Sequence, residues 1–187
     1  MNPILIEFPD TLQTKRLLIR SPLPGDGPEL QAAVAESIQE LKVWMPWATS
    51  VPTLEEAEEN VRKAHLEFLA RKDLRLNIFL KSKRTLIGCS GLHRINWKVP
   101  KFEIGYWCRT PYAGRGYIRE AVTEITRFAF EQLKAQRVEI RCDPLNERSR
   151  KIPEALGFQL EAVFRHDDRA PNGELRDTMV FAKTLAD

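Results

Sequence analysis

Cysteine is scarce, with three residues, Cys89, Cys108 and Cys142, in a chain of 187. They are scattered and odd in number, which excludes a disulfide framework and leaves reduced thiols as the expected state. The three histidines, His65, His93 and His166, show no ligand spacing, and no metal centre is expected. No apolar run approaches the length of a bilayer span, so no membrane association is expected. The stretch from Met1 to Asp10 lacks a basic segment followed by an apolar core, so no secretory signal is visible and the cytoplasm is the expected compartment. A strong excess of one charge is missing too: 29 Lys and Arg face 26 Asp and Glu, a net charge of +3. Without a dense basic stripe interleaved with aromatics, nucleic acid is not an expected partner. A local basic site for an anionic cofactor remains compatible with that charge. There is no internal repeat and no low-complexity segment.

What is present is a globular profile, 43% hydrophobic and 29% charged. It favours a single domain over residues 1–187 with a core of its own. Leu17 to Arg20 reads as a first strand, stopped by Pro22 and Pro24. Helical spacing runs from Pro28 to about Val43, and Pro46 interrupts it near Trp44 and Trp47. Thr53 with Glu56 forms a capping-box pattern, predicting a second helix from Leu54 to about Arg71. Alternation then predicts three neighbouring antiparallel strands, Leu74–Leu80, Leu86–His93 and Phe102–Cys108. Ile118, Ala121, Val122, Ile125, Phe128, Ala129 and Leu133 share one helical face. Val138–Cys142 is a further strand, Glu147–Leu156 a short helix ended by Gly157, and Phe158–Arg165 and Thr178–Lys183 are two last strands. The order predicts an α/β (α+β) fold built on a mixed sheet.

The chemistry-bearing segment runs from Tyr106 through Ile118 to Ala121, where a strand ends, a Gly-x-Gly turn follows and an amphipathic helix begins. Gly114 and Gly116 allow close approach to the backbone. The unpaired first amides of the helix and its positive dipole end suit a pyrophosphate, and Arg115 and Arg119 add charge. The turn is not a Walker loop, because no Gly-Lys-Ser/Thr follows, and it lacks the third glycine of a dinucleotide fingerprint. Taken alone, Gly-x-Gly reads as a plain strand-to-helix turn.

A second segment, Asn146 to Phe158, follows the next strand. With it the chain resembles the GCN5-related N-acetyltransferase (GNAT) superfamily, in the RimJ/RimL-like branch of ribosomal-protein N-terminal acetyltransferases. Glu103 to Trp107, Gly114 to Tyr117, Glu120-Ala121, Asn146, Ser149 and Leu156 to Phe158 match that family's motifs in order and spacing. Thr14 to Arg20 and Gly173 to Asp177 resemble its opening and closing segments. Two positions depart from the superfamily's turn pattern: Ala113 stands for Gln/Arg and Ile118 for Gly/Ala, the latter narrowing the approach. Pro153 removes a backbone donor in the last helix, and its ring is expected to push on the Ser149 carbonyl.

The resemblance implies a mostly antiparallel central sheet, helices on both faces, and a splayed pair formed by the Phe102–Cys108 and Val138–Cys142 strands. It implies acetyl-CoA as cosubstrate, with no metal. Backbone groups of Tyr106, Trp107 and Cys108 would hold the pantetheine arm. Gly114, Arg115, Gly116, Tyr117, Ile118 and Arg119 would hold the diphosphate, and Asn146 and Ser149 the arm near the thioester. Glu103 is the candidate general base and Ser149 the candidate proton donor to the departing thiolate. Glu103 also fits a solvated strand carboxylate, Asn146 a helix N-cap, and Trp44 and Trp47 either the core or the acceptor mouth. Cys108 has no nearby histidine and is not expected to be a nucleophile. The acceptor is an amine, either a protein N-terminus or a small molecule such as a polyamine, amino acid or antibiotic. A non-catalytic acyl-CoA sensor is the alternative of a different class. The acceptor pocket is expected from Pro28 to Arg71 and Asn96 to Lys101, and a homodimer is left open.

Overall fold

A computed structural model describes residues 2–185. Met1 of the terminal segment, and residues 186 and 187 of the expected domain, lie outside the described residues. The strands are β1 (Thr11–Gln13), β2 (Leu17–Arg20), β3 (Leu74–Leu80), β4 (Thr85–Asn96), β5 (Lys101–Cys108), β6 (Arg137–Cys142), β7 (Gln159–Arg169) and β8 (Leu175–Thr184). The helices are α1 (Gly27–Ala35), α2 (Ile38–Trp44), α3 (Leu54–Leu69), α4 (Tyr117–Glu131) and α5 (Glu147–Ala155). All eight strands join one sheet in the order β1-β2-β3-β4-β5-β6-β8-β7. Every neighbouring pair is antiparallel except β5 and β6. No helix among the described residues is long and apolar enough to cross a membrane.

Strand alternation divides the core between the two faces of this sheet. Leu17, Ile19, Ile78, Ile87 and Ile104 pack on one side with the apolar stripe of α4: Ile118, Ala121, Val122, Ile125, Phe128 and Ala129. Phe79, Leu86 and Cys89 pack on the other with Leu30, Ala33 and Val34 of α1 and Val61 of α3. Burying one large aliphatic side chain stabilises the fold by about 1.5–3 kcal/mol, so docking of the α4 stripe is a leading contribution. The capping box of α3 forms as its sequence predicts, with the Thr53 hydroxyl accepting from the Glu56 amide and the Glu56 carboxylate from the Thr53 amide.

Three elements differ from the sequence reading. The helix expected over Pro28–Val43 is two helices, α1 and α2, broken at Glu36-Ser37. Fully buried Ser37 explains the break: its hydroxyl donates to the Ala33 carbonyl at 2.7 Å and accepts from the Thr110 amide at 2.9 Å. A serine bonded back to its own helix and outward to a loop competes with the regular ladder. The short β1 has too few residues to show a period. Strands β7 and β8 run on to an exposed turn at Ala170–Glu174, past an irregularity between Phe164 and Asp168 where His166 has φ 52°. The polar run Arg165 to Arg169 conceals that extension.

The feature that matters for function lies at the centre. β5 and β6 pair only through Lys101–Arg137, Phe102–Val138 and Glu103–Glu139. Beyond that point β5 stays paired with β4 as far as Cys108, and β6 with β8 as far as Cys142. The two central strands therefore diverge, as the resemblance implies. Ser37→Ala is expected to lower stability by about 1–3 kcal/mol, because it strips the Thr110 amide of its acceptor. Urea unfolding checks this, and an unchanged midpoint would show that the Ser37 link holds nothing.

Candidate active site

The divergence opens a cavity of about 1090 Å³ whose walls include Glu103, Tyr106, Trp107, Cys142, Asn146 and Ser149. Five of the residues nominated from the sequence, Glu103, Tyr106, Trp107, Asn146 and Ser149, thus share one space. Cys108 closes β5 just outside that lining. Gly114 to Arg119 form the turn that opens α4 a few residues further on.

Gly114 and Gly116 both have φ 75°, the left-handed region that glycine enters without strain. Gly116 is the N-cap of α4 and supplies no side-chain cap. The helical ladder starts with the Glu120 amide, which bonds the Gly116 carbonyl at 3.0 Å. The amides of Tyr117, Ile118 and Arg119 precede it and have no partner within the helix. The Ile118 side chain is buried in the core, so it does not narrow the approach, and only its amide belongs to the turn.

Arg16, to which the sequence reading gave no role, completes this end of the helix. Its Nε bonds the Glu120 carboxylate at 2.6 Å, its Nη1 donates to the Arg115 carbonyl at 3.1 Å, and its guanidinium lies 4.4 Å from the Tyr117 ring centre. Burial alone would raise the Glu120 pKa, but hydrogen bonds from Thr14 and Arg16 outweigh it and hold the carboxyl below its ordinary range. The negative charge in the first turn is thereby matched, and the turn keeps a net attraction for anions. Arg115 and Arg119 are exposed beside it.

Across the gap, Asn146 caps α5, its side-chain oxygen accepting from the Ser149 amide at 3.1 Å. The helix continues through Pro153 to Ala155. Proline has no N–H to give the carbonyl four residues earlier, which is that of Ser149. The Tyr106 hydroxyl takes that place, donating to the Ser149 carbonyl at 2.9 Å while the Ser149 hydroxyl donates to the Tyr106 oxygen at 3.3 Å. Pro153 thus leaves a carbonyl that ties α5 to β5 over the gap. Burial pushes the Tyr106 phenol well above its ordinary range, so it stays neutral. Burial likewise pushes the Cys108 thiol up to about 11, which gives no support to a nucleophilic thiolate.

A family model described as the acetyltransferase (GNAT) domain matches residues 16–159. This chain belongs to the GNAT family. As such it is an acyltransferase. The chain is similar to YdaF of Bacillus subtilis (strain 168), 27% identical over 172 residues, covering 90% of this chain and 91% of that one. It is also similar to the ribosomal-protein-serine acetyltransferase of Escherichia coli (strain K12), 25% identical over 147 residues, covering 77% and 81%. Among solved structures, the microcin self-immunity acetyltransferase MccE, in complex with acetyl-CoA and AMP, superposes with TM-score 0.88 at 20% identity, covering 95% of this chain and 98% of that one. The ribosomal α-N-protein acetyltransferase RimL, in complex with coenzyme A, gives 0.87 at 19%, covering 94% and 98%. At those identities the structural likenesses carry the fold. The curated relatives named as ribosomal acetyltransferases agree with the RimJ/RimL-like branch that the motifs resemble.

The far side of this GNAT cavity holds charges that the sequence left unplaced. Glu103 lies 3.4 Å from Arg94 and 3.5 Å from Arg141, so it is not a lone solvated carboxylate. Its strand partner Glu139 is buried, which alone would raise its pKa, yet Arg137, Lys101 and Arg141 hold it below the ordinary range. The His93 ring packs over Gly91 and Gly105, with Nδ1 2.7 Å from the Asp73 carboxylate. Trp44 and Trp47 line the opening, where Trp47 and Trp107 are 6.1 Å apart between ring centres. Asp167, Asp168 and Arg176 of the β7–β8 hairpin supply a wall that was expected from Asn96–Lys101. That segment instead sets Trp97 edge-on to Phe102 and against the Arg71 carbonyl, away from this cavity.

A double-mutant cycle tests the bridge over the gap. Pro153→Ala restores an amide for the Ser149 carbonyl, so it is expected to be more stabilising in a Tyr106→Phe background than in the parent. The expected difference is at least about 0.5 kcal/mol by urea unfolding. Additive effects would show that proline and tyrosine do not share that carbonyl.

Proposed function

We propose that this chain transfers an acetyl group from acetyl-CoA directly to a primary amine, most specifically the N-terminal α-amine of a ribosomal or other protein. The observation that carries the reading is the gap between β5 and β6 beside an α4 N-terminus without a side-chain cap. An extended pantetheine arm fits an unpaired strand edge, and a diphosphate fits the uncapped amides with Arg16, Arg115 and Arg119 around them. The protein-acceptor assignment is supported by the likeness to the Escherichia coli enzyme, and residues 1–187 act as one cytoplasmic transferase domain.

Acetyl-CoA supplies the activated acetyl group, and the residues of the chain bind, orient and move protons. Backbone groups of Tyr106 to Cys108 hold the arm, and Asn146 fixes the helix turn that presents Ser149. An α-amine has a pKa of about 7.7–8.0, so at neutral pH it needs only modest help to lose its proton. Glu103, directly or through water, receives that proton, with Arg94 and Arg141 fixing its carboxylate in place. The Ser149 hydroxyl, turned from Tyr106 toward the thioester, gives a hydrogen bond or a proton to the departing sulfur, while Tyr106 holds the serine in position through its carbonyl.

Gly116→Val is expected to lose measurable CoA binding by calorimetry. A new Cβ would meet only flexible side-chain ends, Arg16 Nη2 at 3.7 Å and Arg119 Nη2 at 4.0 Å, but at φ 75° a β-branched residue also strains the backbone, so the turn that presents the amides is distorted as well as obstructed. Unchanged affinity would move the phosphate site elsewhere. Ser149→Ala is expected to lower kcat more than CoA affinity, and unaltered kinetics would remove the serine from the mechanism. Thiol release with acetyl-CoA and an amine panel tests the reaction itself. No release with any acceptor, despite CoA binding, would contradict a transferase and favour a sensor.

A further inference from the structure

The floor of the cavity carries a histidine oriented by a carboxylate. His93 of β4 is the cross-strand partner of Glu103 on β5, so both side chains rise from the same face of the sheet. Directly opposite residues have Cβ atoms about 4.5–5.5 Å apart. The ring leans along the strands over two glycines. A Cβ on Gly91 would come within 2.9 Å of its Cε1, and one on Gly105 within 3.2 Å of Cδ2 and 3.5 Å of Nε2. Glycine at both positions leaves room for the ring to lie there.

The two ring nitrogens have different surroundings. Nδ1 lies 2.7 Å from the carboxylate of Asp73, the residue just before β3. An ionised carboxylate only accepts hydrogen bonds, so Nδ1 carries the hydrogen and the lone pair of the neutral ring is on Nε2. Nε2 bonds no protein group among the described residues and is not shielded from solvent. The His93 side chain is 29% exposed and lines the cavity together with Glu103. A carboxylate that fixes the tautomer and steadies the imidazolium is how a histidine is set up to take a proton.

Glu103 is placed differently. Arg94 and Arg141 both approach its Oε2, at 3.4 and 3.5 Å, so a proton resting there competes with two guanidinium groups. Three further charged groups share the cavity with His93: Arg75 of β3, Glu56 of α3 and Asp168 of the β7–β8 hairpin. Each is turned to another partner. Arg75 donates to Asn60 at 2.6 Å, Glu56 accepts from the Thr53 amide at 2.7 Å, and Asp168 pairs with Arg176 at 2.8 Å.

We infer that His93 is the terminal proton carrier of the reaction: its Nε2 takes up, from Glu103 or from water beside it, the proton that the bound ammonium sheds, and Asp73 positions the ring. This rests on the amine-acetylating reading above and adds a step to it. The acceptor nitrogen keeps the electron pair of the broken N–H bond and attacks the thioester carbon with it. The C–S bond breaks and the sulfur leaves with its pair. The next proton lost by the nitrogen replaces the one that Ser149 gives to the sulfur. The imidazolium keeps its Nδ1–H on Asp73 and returns the first proton to solvent.

Thiol release by the full chain tests this, with acetyl-CoA and an N-terminal peptide, at pH values on both sides of the α-amine pKa of about 7.7–8.0. His93→Gln keeps a hydrogen-bonding group near Asp73 and removes the basic nitrogen. Below the amine pKa the ammonium must lose its proton on the enzyme, and kcat is expected to fall by about tenfold or more. Above it the amine arrives neutral, and the deficit is expected to shrink toward none. Asp73→Asn keeps the ring and weakens its orientation. It is expected to show the same trend at smaller size, and it carries the test if His93→Gln does not fold. Coenzyme A affinity by calorimetry is expected to be unchanged in both.

A deficit equal at every pH would assign the pair a structural role and overturn the inference. Unchanged kinetics in both variants, or a matching loss of coenzyme A affinity, would overturn it too. In each of these cases acetyl transfer stands. No thiol release by the wild type with any acceptor, despite coenzyme A binding, would overturn the transfer reading and this inference with it.

Discussion

The architecture turns on the point where β5 and β6 stop sharing backbone hydrogen bonds. Two parallel strands anchored on other strands would ordinarily continue to pair, since an unpaired edge leaves backbone donors and acceptors exposed. Here pairing ends at Glu103–Glu139, two acidic residues set opposite one another. Four basic side chains, Lys101, Arg137, Arg141 and Arg94, gather around them and make the junction tolerable. Past it, the Tyr106–Ser149 bond ties the two sides together by side chain and carbonyl instead of by a ladder. What remains is a strand edge able to take an extended ligand as if it were another strand.

The glycine turn gains its meaning from its place directly after that edge. β5 ends at Cys108 and α4 starts at Tyr117, so the strand edge and the open helix terminus are held a short span of chain apart. Buried Arg109 pins that span: it pairs with Glu36 through contacts of 2.7 and 2.9 Å and donates to the Leu86 carbonyl at 3.1 Å. Ser37 pins the neighbouring Thr110 amide at 2.9 Å. The break between α1 and α2 and the position of the turn are therefore one arrangement. Through it the helices that border the cavity are fastened to the segment that would hold the diphosphate. Opposite, Arg16 and Glu120 fasten the same turn to the start of β2.

The elements with a strong period were legible in the sequence: the α4 stripe, the capping box of α3 and the β3–β4–β5 meander each write their own geometry locally. The order of motifs around Gly114–Gly116 and Asn146–Ser149 carried the family. What stayed hidden was set by distant partners. Ser37 reads as an ordinary helix residue until Thr110 is seen to need its oxygen. Arg16 is one arginine among many until Glu120, 104 positions away, is folded onto it. Pro153 reads as a defect, and only the Tyr106 hydroxyl shows why the fold tolerates it. The β7–β8 extension is hidden because its exposed polar residues obey no alternation, although Asp167, Asp168 and Arg176 line the cavity. Arg94, Arg141 and His93 acquire meaning only from the charges and glycines beside them in space.

In the proposed reaction, bare amides at the start of α4, with the arginines around them, would grip a diphosphate while the strand edge holds the arm. Comparing coenzyme A with pantetheine, which keeps the arm and thiol but lacks the diphosphate and nucleotide, tests it most directly by calorimetry on the whole protein. Clear binding of coenzyme A is expected, and for pantetheine a loss so large that no saturable heat is seen. Equal affinity for the two would contradict it, because the α4 terminus would then contribute nothing to holding the cosubstrate.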